Sequence, residues 1–101
     1  MKVIKRDGRS VDYDRSKIVI AIEKACANLP AKERIKKKEI KAITDYIESL
    51  EKKRILVEDI QDIIEFKLME FKYFELAKKY IVYSYTRALL RKQNTTDESI
   101  L

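Results

Sequence analysis

Apolar residues recur at three- and four-residue intervals along most of this chain. Ile18, Ile22, Ala25 and Leu29 follow Asp14 at that spacing, and Val19 and Cys26 widen the stripe. Asp14 is a plausible N-cap and Pro30 a stop, so a first amphipathic helix is predicted from just after Asp14 to near Pro30. Residues 36–52 repeat the pattern with Ile40, Ile43, Ile47 and Leu50 inside and Lys37, Lys38, Lys41, Glu48 and Lys52 outside. A third helix is predicted over 57–71, where Ile60, Ile63, Ile64, Leu68 and Phe71 share a side. Its first turns carry Glu58, Asp59 and Asp62, acids that complement the helix dipole. A fourth helix is predicted from 73 to about 92, with Leu76, Ala77, Tyr80, Ile81, Ser84, Ala88 and Leu89 marking its inner face and Arg87, Arg91 and Lys92 near its end.

The two ends depart from this period. Residues 2–6 and 9–13 flank Asp7-Gly8, a pair suited to a two-residue type I′ hairpin loop because both positions need positive φ. That loop would set Ile4 opposite Val11 as an apolar pair over the core, with Lys5 on the other face. Arg54, Ile55 and Leu56 suit a short third strand beside the hairpin, which would be marginal alone. The prediction is a mainly α protein with a small β element: a four-helix bundle capped by an N-terminal β-hairpin or a short three-stranded sheet. The closing NTTDESIL loses the helical period, so residues 1–92 read as one domain and 93–101 as a linker or the start of a following region.

Composition narrows the chemistry. One Gly and one Pro in 101 residues argue against a turn-rich β fold. The absence of His removes the commonest acid-base catalyst and metal ligand, and the single Cys26 can build neither an internal disulfide nor a zinc site. Cys26 reads as a small core side chain on the apolar stripe. No early apolar run resembles a signal peptide or membrane span, so the expected location is cytoplasmic and no membrane partner is expected. The net charge of +6 permits a polyanionic ligand without choosing among them. A binding domain is the reading that remains.

Lys5 and Arg6 precede the turn, Gly8 permits close approach, and Lys17 lies one turn into the first helix. Cations together with free N–H groups at the turn and helix start can hold phosphates. One glycine cannot make a Walker A loop or a G-x-G-x-x-G fingerprint, and an ordinary solvated hairpin explains the same residues. Tyr80, Tyr83 and Tyr85 fit packing as well as base stacking, and Arg87 fits a helix end. The run KERIKKKEIK, interrupted by Ile35, Glu39 and Ile40, reads as a solvated helix start rather than a DNA-contact strip.

Three blocks taken in order add a resemblance: VIKRDGRSVDYDRSKIVIAIEKA, LVEDIQDIIEFKL and LAKKYIVYSYTRALLRK. Together they resemble the hairpin with first helix, the third helix and the fourth helix of the ATP-cone family, over about residues 2–92. The closing RKQNTTDESIL is most similar to the junction before the catalytic part of anaerobic ribonucleoside-triphosphate reductases. The resemblance implies a regulatory domain, not catalytic by itself, that binds ATP or dATP as an allosteric effector. Its implied partners are the catalytic region or subunit of a ribonucleotide reductase and further copies of itself in a homo-oligomer. By position, Val3, Lys5 and Arg6 line the nucleotide site, Asp7 and Gly8 shape its turn, and Asp14 precedes the first helix. Lys17 reaches the phosphates and Ile18 neighbours the base; Tyr83 packs near the adenine and Arg87 adds a cation. A magnesium ion would ride on the nucleotide phosphates, with Asp12 and Asp14 as candidate helpers. Val11 and Val57 depart from members that carry a carboxylate and a threonine there. Two other readings stay open: a fragment of a nucleotide-dependent DNA-binding regulator, although a zinc ribbon's cysteines are absent, and a helical interaction module that binds no nucleotide.

Overall fold

A computed structural model describes the backbone of residues 1–100 and the side chains of residues 1–87, 89 and 90. The order is β1 (Lys2–Ile4), β2 (Ser10–Asp12), α1 (Arg15–Cys26), a 3₁₀ turn (Ala31–Glu33), α2 (Lys37–Ser49), β3 (Arg54–Leu56), α3 (Val57–Glu70) and α4 (Phe74–Ile100). The predicted mainly α architecture, with a small sheet at the N-terminus, is what forms. α1 packs on α2 and α4, and α3 on α2 and α4, so the four helices close a ring. Their stripes meet in an aliphatic core in which Ile22, Ile43, Ile47, Ile64, Leu68 and Leu76 are fully buried. Each such side chain contributes about 1.5–3 kcal/mol of burial free energy. Cys26 is buried beside them as a free thiol, as its place on the stripe predicts.

The sheet has the order β2-β1-β3, with β2 antiparallel and β3 parallel to β1. Lys2 N–H donates to Lys53 O at 2.8 Å, joining the start of β1 to the approach to β3. Val3 lies between Val11 and Ile55, and this row faces the core: Val3 and Ile55 are buried and Val11 is half-buried against them.

This register corrects the predicted hairpin. Lys2 pairs with Asp12, Val3 with Val11 and Ile4 with Ser10, one position away from the pairing that a two-residue loop would give. The loop holds Arg6, Asp7 and Gly8: Gly8 N–H donates to Lys5 O at 2.9 Å, and Lys5 N–H to Arg9 O at 2.8 Å. This is the three-residue form in which only the last loop position is left-handed, and Gly8 occupies it at φ 89°. Asp7 does not need positive φ; its carboxylate accepts from Arg9 N–H at 3.1 Å and Arg9 Nε at 2.8 Å. A one-residue slip exchanges faces. Val3 therefore replaces Ile4 as the inward partner of Val11, and Lys5, two positions on, shares the face of Val3 rather than opposing it.

Asp14 caps α1 as expected, accepting from Ser16 N–H at 3.0 Å and from its hydroxyl at 2.6 Å. α3 ends in a Schellman motif: Lys72 N–H donates to Met69 O and Tyr73 N–H to Leu68 O, both at 2.9 Å. Its left-handed position, usually glycine, is Lys72 at φ 68°, and Glu51 after α2 sits similarly at φ 53°. The inner face of α4 is shorter than predicted. Leu76, Ala77 and Tyr80 are buried and Ser84 half-buried, but Ile81 and Leu89 are exposed; Ala88 lies outside the described side chains. The backbone of α4 continues to Ile100, past the end near Lys92 that the lost apolar period suggests. No Gly or Pro interrupts that stretch, so hydrogen bonding propagates without a stripe. Among the described residues, no helix is long and apolar enough to cross a membrane.

Candidate functional site

The residues singled out in the sequence come from β1, the hairpin loop, the head of α1 and the middle of α4, and three tethers bring these to one end of the bundle. The first is Arg6. Its Nη2 donates to Gln61 Oε1 at 2.8 Å and its Nη1 lies 3.6 Å from Glu58 Oε1, which lays the loop over the opening turns of α3. The second is the tight turn at Lys72, which makes α3 and α4 antiparallel. Counting equally outward from that turn brings Gln61 level with Tyr83 and Glu58 level with Thr86. Electrostatic contact between Tyr80 and Glu65, further down the same pair, agrees with this register. The third is the proximity of Tyr73, heading α4, to Cys26, ending α1. α1 thus runs antiparallel to α4, and the turn that carries Lys17 and Ile18 comes level with Val82 and Ile81, next to Tyr83.

Around this end, Val3 and Ile18 are buried and form an apolar floor. Lys5 and Tyr83 are half-buried, whereas Arg6, Gly8, Lys17 and Arg87 are exposed. Arg87 Nη1 donates to Tyr83 Oη at 3.0 Å, and the guanidinium lies 5.7 Å from that ring's centroid, so the two act as one unit on successive turns of α4. A Cβ added to Gly8 would meet nothing within 4 Å, so the loop leaves open space at its tip.

The acidic residues have other duties. Asp7 is held by Arg9, first through its N–H, which keeps its carboxyl below the usual range. Asp12 pairs with Lys2, whose hydrogen bond and charge lower its carboxyl likewise. Asp14 is lowered mainly by the Ser16 hydroxyl and then by the Ser16 N–H. Neither Asp12 nor Asp14 presents a carboxylate organised for a metal ion, and no group of three or more potential metal-ligating His, Cys, Asp or Glu side chains forms among the described residues. Val11 is turned inward beside Val3, and Val57 is the half-buried first residue of α3.

The structure adds Gln61, and gives Glu58, which the sequence offers only as a partner of the helix dipole, a second contact with Arg6. Their three-residue separation is ordinary for a polar helix face, and nothing in the pattern joins them to a loop more than fifty residues earlier. It also adds a dense contact set at the β2–α1 corner. Tyr13 Oη donates to Glu48 at 2.9 Å, and Arg15 donates to Glu48 at 2.8 and 2.9 Å and to Asp45 at 2.7 Å. Arg15 holds the Glu48 carboxyl below its usual range, Lys41 and then Arg15 do so for Asp45, and burial followed by Glu48 raises the Tyr13 phenol. An open cleft lined by Met1, Tyr13, Arg15, Glu51, Lys52 and Lys53 lies at this corner. It shares only Asp14 with the gathered residues, and its mixed charge gives it no ligand preference.

Residues 1–89 match the family model described as the ATP cone domain. The chain belongs to the ATP-cone family. This ATP-cone is 33% identical, over 99% of its length, to the ribonucleoside-diphosphate reductase subunit alpha of Chlamydia muridarum. It is 32% identical over 91% of its length to the vitamin B12-dependent ribonucleoside-diphosphate reductase of Thermoplasma acidophilum. It is also 32% identical over 92% of its length to the anaerobic ribonucleoside-triphosphate reductase of Haemophilus influenzae, a relative of the kind that the closing residues resemble. The matched segments are 11%, 12% and 13% of those proteins, so the ATP-cone spans a small fraction of each relative.

Proposed function

We propose that this ATP-cone binds ATP or dATP as an allosteric signal for a ribonucleotide reductase and performs no chemistry itself. The observation that carries the reading is the Arg6 tether. It lays the Val-Ile-Lys-Arg-Asp-Gly hairpin over the bundle end from which Lys17 and the Tyr83–Arg87 unit emerge.

Lys5, Arg6, Lys17 and Arg87 supply positive charge for the triphosphate, and the first turn of α1 adds its N–H groups. Arg6 exchanges its Glu58 partner for phosphate oxygens as the ligand enters. Val3 and Ile18 form the apolar floor for the base, and the Tyr83 ring packs beside the adenine. Asp14 keeps α1 capped, and Asp7 and Gly8 keep the loop in shape. Magnesium rides on the phosphates with its own waters, since Asp12 and Asp14 are already engaged.

ATP and dATP differ by one 2′-hydroxyl. A group contacting that position in one conformation more than in the other converts the difference into a coupling of about 1–3 kcal/mol. ATP then permits activity of a following catalytic region, and dATP favours an inhibited homo-oligomer. Residues 93–101 serve as the connection to that region.

Titration calorimetry with ATP, dATP and GTP tests the reading. Saturable binding of both adenine nucleotides at micromolar to millimolar concentration, with GTP weaker, is expected. Failure of either adenine nucleotide to bind overturns it.

A further inference from the structure

Glu48 lies on α2, outside the gathered residues, yet it grips the corner that leads into them. Its carboxylate accepts from Tyr13 Oη at 2.9 Å, from Arg15 Nε at 2.8 Å and from Arg15 Nη2 at 2.9 Å. Tyr13 and Arg15 are the immediate neighbours of Asp14, the residue that caps α1. One carboxylate therefore clamps the chain on both sides of the cap.

The clamp is anchored. Arg15 Nη2 also donates to Asp45 at 2.7 Å, and Lys41 Nζ holds the other Asp45 oxygen at 2.8 Å. Lys41, Asp45 and Glu48 follow one another along one face of α2, which is fixed in place by the buried Ile40, Ile43, Thr44 and Ile47. The two-bond fit of guanidinium to carboxylate fixes direction as well as distance. Global stability gains little from the arrangement, because the Arg15 and Glu48 side chains are 43% and 38% exposed and solvent screens ion pairs of that kind. Its larger effect is local order at the turn that starts α1.

We infer that Glu48 is a positioning residue for phosphate recognition: through Tyr13 and Arg15 it sets the direction in which the first turn of α1 presents Lys17 and its N–H groups. The inference rests on the nucleotide reading above. Glu48 touches no ligand. Its removal leaves the apolar floor under the base unchanged and loosens only the element facing the phosphates, so ligands with and without phosphate respond differently.

The test uses the full chain with Glu48→Gln, which loses the charge but keeps the shape. Tyr13→Phe, which removes one hydroxyl and no charge, provides a milder second variant. Calorimetry with ATP and with adenosine is paired with amide hydrogen exchange of the ligand-free proteins. Glu48→Gln is expected to weaken ATP by about five- to tenfold and adenosine by less than about twofold, with Tyr13→Phe intermediate for ATP. Exchange over residues 13–18 rises in both variants, while that of Ile43 and Leu68 stays at the wild-type rate. Unchanged ATP affinity in Glu48→Gln, an equal loss of ATP and adenosine, or unchanged exchange at the corner each overturns the inference. A wild-type chain that binds no adenine nucleotide overturns the nucleotide reading and this inference with it. Wild-type binding alongside an unaffected Glu48→Gln overturns the inference alone.

Discussion

Replacing Gly8 by alanine isolates one physical effect. The added Cβ has nothing within 4 Å to strike, so the substitution costs no steric clash with the rest of the fold. What remains is the backbone: φ is 89°, and an L-residue forced into left-handed conformation costs about 1–2 kcal/mol. Alanine recovers about 0.4–1 kcal/mol because its unfolded chain is less free than glycine's. The expected net loss is about 1 kcal/mol, which for a chain of this size lowers the thermal midpoint by about 4–8 °C. Gly8→Val adds β-branching and raises the loss to about 2 kcal/mol. Urea unfolding followed by circular dichroism measures both, and an unchanged m-value would show that the difference lies in the native loop. A Gly8→Ala protein within about 0.3 kcal/mol of wild type, with Gly8→Val equal to it, would refute the three-residue loop with its left-handed final position.

The opposite substitution is expected to stabilise at Lys72. Its φ of 68° fills a glycine position in a Schellman motif, so Lys72→Gly raises stability by about 0.5 kcal/mol in the same unfolding assay. Lys17→Ala and Arg87→Ala remove exposed cations, and calorimetry is expected to show ATP weakened about tenfold with the unfolding midpoint unchanged. Normal ATP affinity in both would remove Lys17 and Arg87 from the proposed phosphate site. Acid weakens the fold through Glu48, Asp45, Asp14, Asp12 and Asp7, whose carboxyls are all lowered in the folded state. Their contribution is complete above the unfolded values near about 4 and is lost as pH falls through the lower folded values, so the urea midpoint is expected to stay level from pH 7 to about 5 and drop below about 4. Glu65 has the reverse sign: burial, then Asp62, raises its carboxyl, so its charge opposes folding at neutral pH and the opposition fades on acidification. Glu65→Gln is therefore expected to raise the midpoint at pH 7 but not at pH 3.5.

The helices were legible because each carries enough turns for a 3.6-residue stripe to repeat, and each predicted stripe holds buried residues of its helix. Ile55 in β3 was legible only through its neighbours. The hairpin register was not: Asp-Gly fits a two-residue loop, and only the pairing of Val3 with Ile55, from a distant strand, decides which face of β1 turns inward. The outer half of α4 misled for a related reason. Periodicity marks Ile81 and Leu89 as inward, but exposure is decided by where α1 and α3 pack on α4, and both side chains are left exposed. The gathered cations stood out in the KRDG block and in the first turn of α1. Glu48 did not, because an acid on the polar face of a helix signals nothing until Tyr13 and Arg15 are folded against it.

The parallel pairing of β1 with β3 sets an order of events during synthesis. A chain leaving the ribosome N-terminus first exposes Val3 long before Ile55 exists, and at about 5–20 residues per second that interval is roughly 3–10 s. For that time β1 is half of a lone hairpin with one edge of its backbone unpaired, a form prone to sticking to other nascent strands. Lys2 and Arg6, exposed on this short strand and its loop, are charges of the kind that discourages such pairing.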